Sequence, residues 1–348
     1  MKLKQALITA FLLTLVGVTI WELYWRTQTD YYIAYLEDDR NQWAEERAKV
    51  ETATSEDVIL IGMSRTGYNL NTHVWEATQG IDPIKLTING KLPGPVLKDV
   101  INNTDFNGTI VLGVVPIGVF GSKKGFRYRV AQEWVDHYYN RTNAQKLGHI
   151  LSKPLQRNLV LLSSSENKGY NDLDLKSLIK TITLDDGRVP SNDFKLVRIG
   201  YNDEDRNLIM YDRLVDNIKY QKEITDQWDK ALPGLPAYSE KTEKNVTESI
   251  KELISLTKKL KDRGGKIIFI RHKAEDGWLK HAEKNMPKAK AWNKFVEQID
   301  APTYHFQDYD FMSKHYLPDW SHMSAKDAKT YTKDIVNQLI KDGHLTKH

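Results

Sequence analysis

Two short stretches of this chain carry residues that could do chemistry together. In "VILIGMSRTGYNL" (residues 58–70), four aliphatic residues run into Gly62, and Ser64 follows between Met63 and Arg65. In "LPDWSHMSAKD" (317–327), Asp319 precedes His322 by three residues. A serine becomes a nucleophile when a base takes its proton and a carboxylate fixes the base's tautomer. The three-residue spacing lets the Asp319 carboxylate turn toward the His322 ring within one tight turn. The chemistry would be acyl transfer through a serine ester. Each stretch also has a plainer reading. Gly62 can supply a special backbone angle in an ordinary strand-to-loop turn, and Asp319 can simply cap a helix-entry loop. The chain has 10 histidines, so one histidine alone decides nothing.

An acyl-transfer site also needs donors for the oxyanion. The turn "TINGKLPGP" (87–95) offers them at Asn89, Gly90 and Lys91, or it is a simple strand-to-helix connection. Arg65 either orients an anionic substrate or pairs with a core carboxylate. "FIRHKAEDGW" (269–278) sets Arg271 and His272 at a strand end, as candidates to line the cleft, with His272 as a fallback base. His305 and His315 have no comparable company. The spacing of the candidate residues gives no support for a metal site, and neither a metal nor a cofactor is expected.

The elements that must position these residues follow from short aliphatic runs. Residues 57–62, 83–88, 108–115, 266–270 and 303–307 are strand candidates, separated by helical stretches. Continuous apolar runs suit strands buried on both faces. Residues 244–262 carry Ile250, Leu253, Ile254, Thr257 and Leu260 near one stripe, with Gly264-Gly265 as a stop. Ser324 and Asp327 form a capping pattern for a last helix bearing Ala328, Tyr331, Ile335 and Leu339. The pattern predicts an α/β fold, a three-layer sandwich around a mostly parallel sheet of ~five strands. Ligands of such sheets sit at the carboxyl ends of the strands, where Ser64 and His322 would lie. Residues 121–240 break the rhythm and read as an insertion forming a lid or substrate wall. Residues 26–56 are polar and helix-prone, and read as a stalk.

Lys2 and Lys4 precede an uncharged run from Ala6 to Trp21, and Trp21, Tyr24 and Trp25 follow as an interfacial aromatic cluster. No small-x-small cleavage pattern comes next. Residues 1–25 therefore read as an uncleaved anchor with the domain (57–348) outside the cytoplasm, in preference to a cleaved signal. The 348 residues, 40% apolar and 28% charged, suit a globular chain. A net charge of +4 without a basic stripe argues against a nucleic-acid partner. The absence of cysteine excludes thiol catalysis, disulfides and cysteine zinc sites.

The order of these motifs, G-x-S after the first strand, an N-G turn after the second and D-x-x-H before the last helix, resembles the SGNH (GDSL-type) hydrolase superfamily. "LIGMSRTGYNLN", "TINGKLPG" and "VLGVVPIGVF" look like its membrane-anchored extracytoplasmic branch, which includes alginate O-acetylation and teichoic-acid D-alanyl transfer proteins. The resemblance covers roughly 57–120 and 266–341. It implies Ser64 as nucleophile, His322 as base and Asp319 as its orienter, acting on ester-linked acyl groups of a cell-surface glycan. An integral-membrane acyltransferase is a further candidate partner. The chain departs from the pattern twice. The first block reads G-M-S, and Val115 stands where the superfamily places its oxyanion asparagine. A literal "GYND" at 200–203 falls outside the strand order and reads as coincidence, followed by a solvated helix start at "EDRN", with Asn202 kept in view. Two other readings remain: a non-catalytic glycan-binding or assembly protein on the same fold, and a serine peptidase of unrelated fold.

Overall fold

The computed structural model describes residues 3–27, 36–162, 199–234 and 236–348. In chain order the helices are α1 (Leu3–Thr27), α2 (Arg40–Ala48), α3 (Ser64–Asn69), α4 (Thr72–Gln79), α5 (Gly94–Asn103), α6 (Pro116–Val119), α7 (Phe126–Asn140) and α8 (Asn143–Asn158). They continue with α9 (Asp212–Asp216), α10 (Ile218–Ala231), α11 (Glu240–Lys261), α12 (Asp276–Asn285), α13 (Trp292–Val296), α14 (Asp310–Ser313) and α15 (Ala325–Lys341). The strands are β1 (Val58–Ile61), β2 (Ile84–Lys85), β3 (Thr109–Gly113), β4 (Gly200–Asn202), β5 (Leu208–Met210), β6 (Lys266–Arg271) and β7 (Thr303–His305).

A five-stranded sheet has the order β2-β1-β3-β6-β7, and all four pairings are parallel. Its strands fall within or against the five aliphatic runs read from sequence. Because side chains alternate across a sheet, β1 sends Ile59 and Ile61 to one face and Val58 and Leu60 to the other. The first face packs on α2, α5, α7 and α11, through residues such as Trp43, Val100, Val135 and Leu253. The second packs on α4 and α15, through Trp75, Tyr331 and Ile335. The architecture is a three-layer α/β/α sandwich. Both expected helix signals are used: Gly264 takes φ +92 after α11, and the Ser324 hydroxyl accepts the N–H of Asp327 at 3.0 Å at the start of α15.

Two organisational readings need correction. Residues 36–56 are not a stalk. Trp43, Ala44 and Arg47 of α2 are wholly buried against the sandwich. The charged composition concealed this because Arg47 is neutralised inside, its Nε donating to Asp99 at 2.6 Å. Nor is 121–240 one insertion. Ala131 and Val135 place α7 in the main core. The distinct part is the antiparallel hairpin β4–β5, with Leu214, Tyr220 and Ile224 clustering on Tyr68 of α3. The expected helix start at "EDRN" is the hairpin turn, with Arg206 at φ 61, and both Arg206 and Asn207 are buried. Residues 163–198 of that interval lie outside the described residues. In α1, Leu3–Tyr24 is long and apolar enough to span a membrane, and its most apolar stretch is unburied.

Candidate active site

The serine's position is set by steric accommodation at two strand ends. After β1, Gly62 and Met63 lead to Ser64, the first residue of α3. A Cβ on Gly62 would lie 2.1 Å from Thr66 Oγ1, and one on Gly113, ending β3, would lie 1.7 Å from it. Thr66 is therefore wedged between two glycine strand ends, which draws the first turn of α3 onto the sheet edge. The glycine at 62 serves close approach. The special backbone angle considered from sequence is not what it supplies.

His322 Nε2 lies 2.8 Å from Ser64 Oγ, and its Nδ1 lies 2.6 Å from Asp319 Oδ2. The other Asp319 oxygen accepts the N–H of Ser321 at 3.1 Å and of His322 at 2.8 Å. Burial pushes the Asp319 carboxyl up, but the His322 charge and these hydrogen bonds outweigh it and hold the carboxyl below its usual range. The tight turn requires Trp320 at φ 66, a left-handed conformation costing a non-glycine residue roughly 1–3 kcal/mol. The Tyr68 ring packs on His322 with centroids 4.6 Å apart. Asn69 locks the two halves together: its Oδ1 accepts the N–H of Met323 at 3.2 Å, and its carbonyl accepts the Thr332 hydroxyl at 3.1 Å. A serine, a correctly oriented imidazole and a buried carboxylate in this relation can run nucleophilic acyl transfer.

Two buried cations underlie the triad. Arg65 donates from Nε to Ser321 Oγ at 3.0 Å, lies 5.5 Å from the Trp278 ring and makes no ion pair among the described residues. Burial lowers its pKa to about 10, with the Asp319 charge opposing. Neither sequence reading of Arg65 is met in full, since it feels Asp319 without contacting it. Arg271 and His272 do not line the cleft as expected; they are 2% and 0% exposed. Arg271 donates to the His272 carbonyl at 3.3 Å, and burial with the neighbouring Arg65 charge holds its pKa well below the ordinary value. His272 Nδ1 meets Tyr331 Oη at 2.9 Å, and burial followed by both arginine charges lowers it to about 3. A sealed neutral imidazole beneath the sheet edge cannot be a fallback base. Tyr331 of α15 covers His272, and the Arg271 guanidinium lies 5.9 Å from the Phe306 ring, so both face inward.

The oxyanion side is less built. Ile88 donates to the Gly62 carbonyl at 3.1 Å, so the 89–91 turn opens on the same edge as Ser64. Gly90 takes φ +67 and Asn89 is exposed, but the Lys91 N–H is spent on the Ile88 carbonyl at 3.2 Å. Lys91 is thus corrected as a backbone donor. Val115 precedes α6 with no side-chain amide to offer, and Asn202 gives its amide to the Leu36 carbonyl at 2.6 Å. The first-turn N–H groups of Ser64 and Arg65 have no partner among the described residues, as helix geometry demands.

Several supporting residues escaped sequence reading. Lys85, within "PIKLTI", is wholly buried and donates to the carbonyls of Gly67 (2.9 Å) and Leu70 (2.7 Å) and to Asn207 Oδ1 (2.9 Å). Burial lowers it to about 7. It fastens α3 to the hairpin; its only signal was a lone charge inside an apolar run. At the surface, His73 lies 3.4 Å from both Asp203 and Asp205, a group whose members are far apart in the sequence. His315 meets Asp327 at 3.1 Å, and His305 stacks on Phe306. Neither a comparison with protein-family models nor one with curated proteins finds a match for this chain.

Proposed function

We propose that the chain is a membrane-anchored serine esterase or O-acyltransferase acting on acyl esters, foremost acetyl, of a cell-surface glycan. The observation that carries the reading is the continuous hydrogen-bonded relay Ser64–His322–Asp319. Ser64 Oγ attacks the acyl carbonyl while its proton passes to His322 Nε2. The tetrahedral oxyanion collapses, the sugar oxygen leaves with that proton, and the acyl group remains as an ester on Ser64. Water or a second hydroxyl then gives its proton to His322, attacks the ester and releases Ser64. Asp319 keeps the imidazole's Nδ1–H directed away from the serine. Backbone N–H groups of Ser64 and Arg65 offer hydrogen bonds to the oxyanion, and the positive charge of Arg65 and Arg271 beneath favours it.

The glycan rests on the motif resemblance. The topology, with the domain outside the cytoplasm, rests on α1 and on Lys2 and Lys4 before it. An integral-membrane acyltransferase that hands acyl groups to Ser64 is the partner this arrangement would serve. The thin oxyanion side favours a second reading, a glycan-binding protein that no longer catalyses. Full-length protein in detergent, treated with a fluorophosphonate, separates the two. Labelling of the wild type that is lost in Ser64→Ala and His322→Ala supports the enzyme. An unlabelled wild type would put the binding reading first.

A further inference from the structure

Helix α8 is amphipathic with its faces reversed. His149 is buried and meets Gln42 Oε1 at 3.3 Å, Gln156 accepts the N–H of Glu37 at 3.0 Å, and Lys153 pairs with Glu45. The polar side thus packs on the protein. Leu147, Ile150, Leu151 and Leu155 face outward at 56%, 55%, 62% and 53% exposure, and Leu162 continues the stripe at 39%. A water-facing helix shows the opposite pattern, and a contiguous outward apolar stripe marks an interaction surface.

Its neighbour identifies the occupant. The far end of α1 meets the end of α8: Arg26 donates to the Asn158 carbonyl, and the Glu22 carboxylate accepts the Val160 N–H at 3.0 Å. The 22-residue apolar run ending at Tyr24 rises about 33 Å, against roughly 30 Å of hydrocarbon. The α8 terminus therefore sits at the level where α1 leaves the apolar layer, and α8 itself carries no acidic residue. We propose that α8 lies on the bilayer surface, its leucine stripe in the lipid interface beside the exit of α1. This rests on reading α1 as a membrane span. Such a helix would give the domain a second contact with the bilayer beside α1 and so restrict its tilt.

The chain has no cysteine, so a single engineered thiol reports one position. Full-length Leu151→Cys, labelled with an environment-sensitive nitrobenzoxadiazole dye, is placed in phosphatidylcholine–phosphatidylglycerol vesicles, with exposed Lys244→Cys of α11 as reference. The proposal expects a blue-shifted Leu151 label, quenched severalfold more by bromine-bearing acyl chains than the reference and less by aqueous iodide. Equal iodide quenching at both positions, with the protein still vesicle-bound, overturns it while leaving the anchor standing. A label shielded from both quenchers also overturns it, since a protein partner or second copy then covers the stripe. Failure of the full chain to enter vesicles removes the anchor and the proposal together. Ile150→Glu, at an exposed position, should leave the melting temperature in detergent unchanged and reduce quenching of the Leu151 label by acyl-chain bromine.

Discussion

Asp319 accepts three hydrogen bonds inside a sealed loop, whereas Asn89, across the same strand ends, is exposed and bonded to nothing among the described residues. On the triad side the loop, α3 and α15 are laced by Asn69 and Thr332, so on the proposed reading the serine's proton acceptor is in place before a substrate binds. On the oxyanion side the turn at 89–91 and Val115 contribute no side-chain amide directed at Ser64. The contrast teaches where selection between hydrolysis and transfer would be exercised. On the proposed reading, the proton-transfer half of acyl chemistry is prebuilt, and the half that would meet acyl donor and acceptor is not.

The comparison is most strongly tested by breaking its built half. Asp319→Asn should keep the fold but leave His322 in the wrong tautomer, lowering p-nitrophenyl acetate turnover by about 10⁴; a loss under tenfold would deny the triad. Acid should then undo the same region's support. His272 is lowered to about 3 from 6.5 by burial, so its contribution to stability is full above 6.5 and is lost as pH falls toward 3. His305, lowered to about 3 chiefly by burial, adds in the same window. The slope is at most about 1.4 kcal/mol per pH unit for each histidine, and His272→Asn should flatten it in urea-midpoint measurements across that range.

The open half is tested by adding to it. Val115→Asn also suits the N-cap position before α6. It should raise turnover, by less than the ~10²–10³ of a prebuilt oxyanion donor; an unchanged rate would mean that donors are not limiting. Smallest of all, Asn89→Ala should change kcat/KM by less than about twofold. A hundredfold loss would show that the turn is as fully committed as the triad, and the contrast would vanish.

The sheet was legible because its strands are aliphatic runs bounded by turn residues, and the triad because G-x-S and D-x-x-H flank the first strand and last helix. Much of what stayed hidden consists of polar side chains that are buried inside the fold. Arg47 made a core helix look like a stalk. Arg206 and Asn207 made a buried hairpin turn look solvated. Arg271 and His272 occupied the right strand end, but sequence does not say which way a side chain points once α15 covers it. The leucines of α8 misled in the opposite direction, as apolar residues facing outward within an interval that breaks the strand–helix rhythm.

The lysine at position 85 leaves a practical mark. Its ammonium joins the end of the second strand, the tail of the helix that begins at Ser64 and Asn207 of the hairpin. The hairpin therefore cannot be treated as an ornament to be trimmed. A shortened chain lacking residues 199–211 would leave Lys85 with one ligand fewer, and would strip Leu208 from its seat against Gly67. Anyone seeking a minimal version of this protein for screening should expect that the smallest piece able to hold Ser64 steady includes the segment that looks most dispensable on paper.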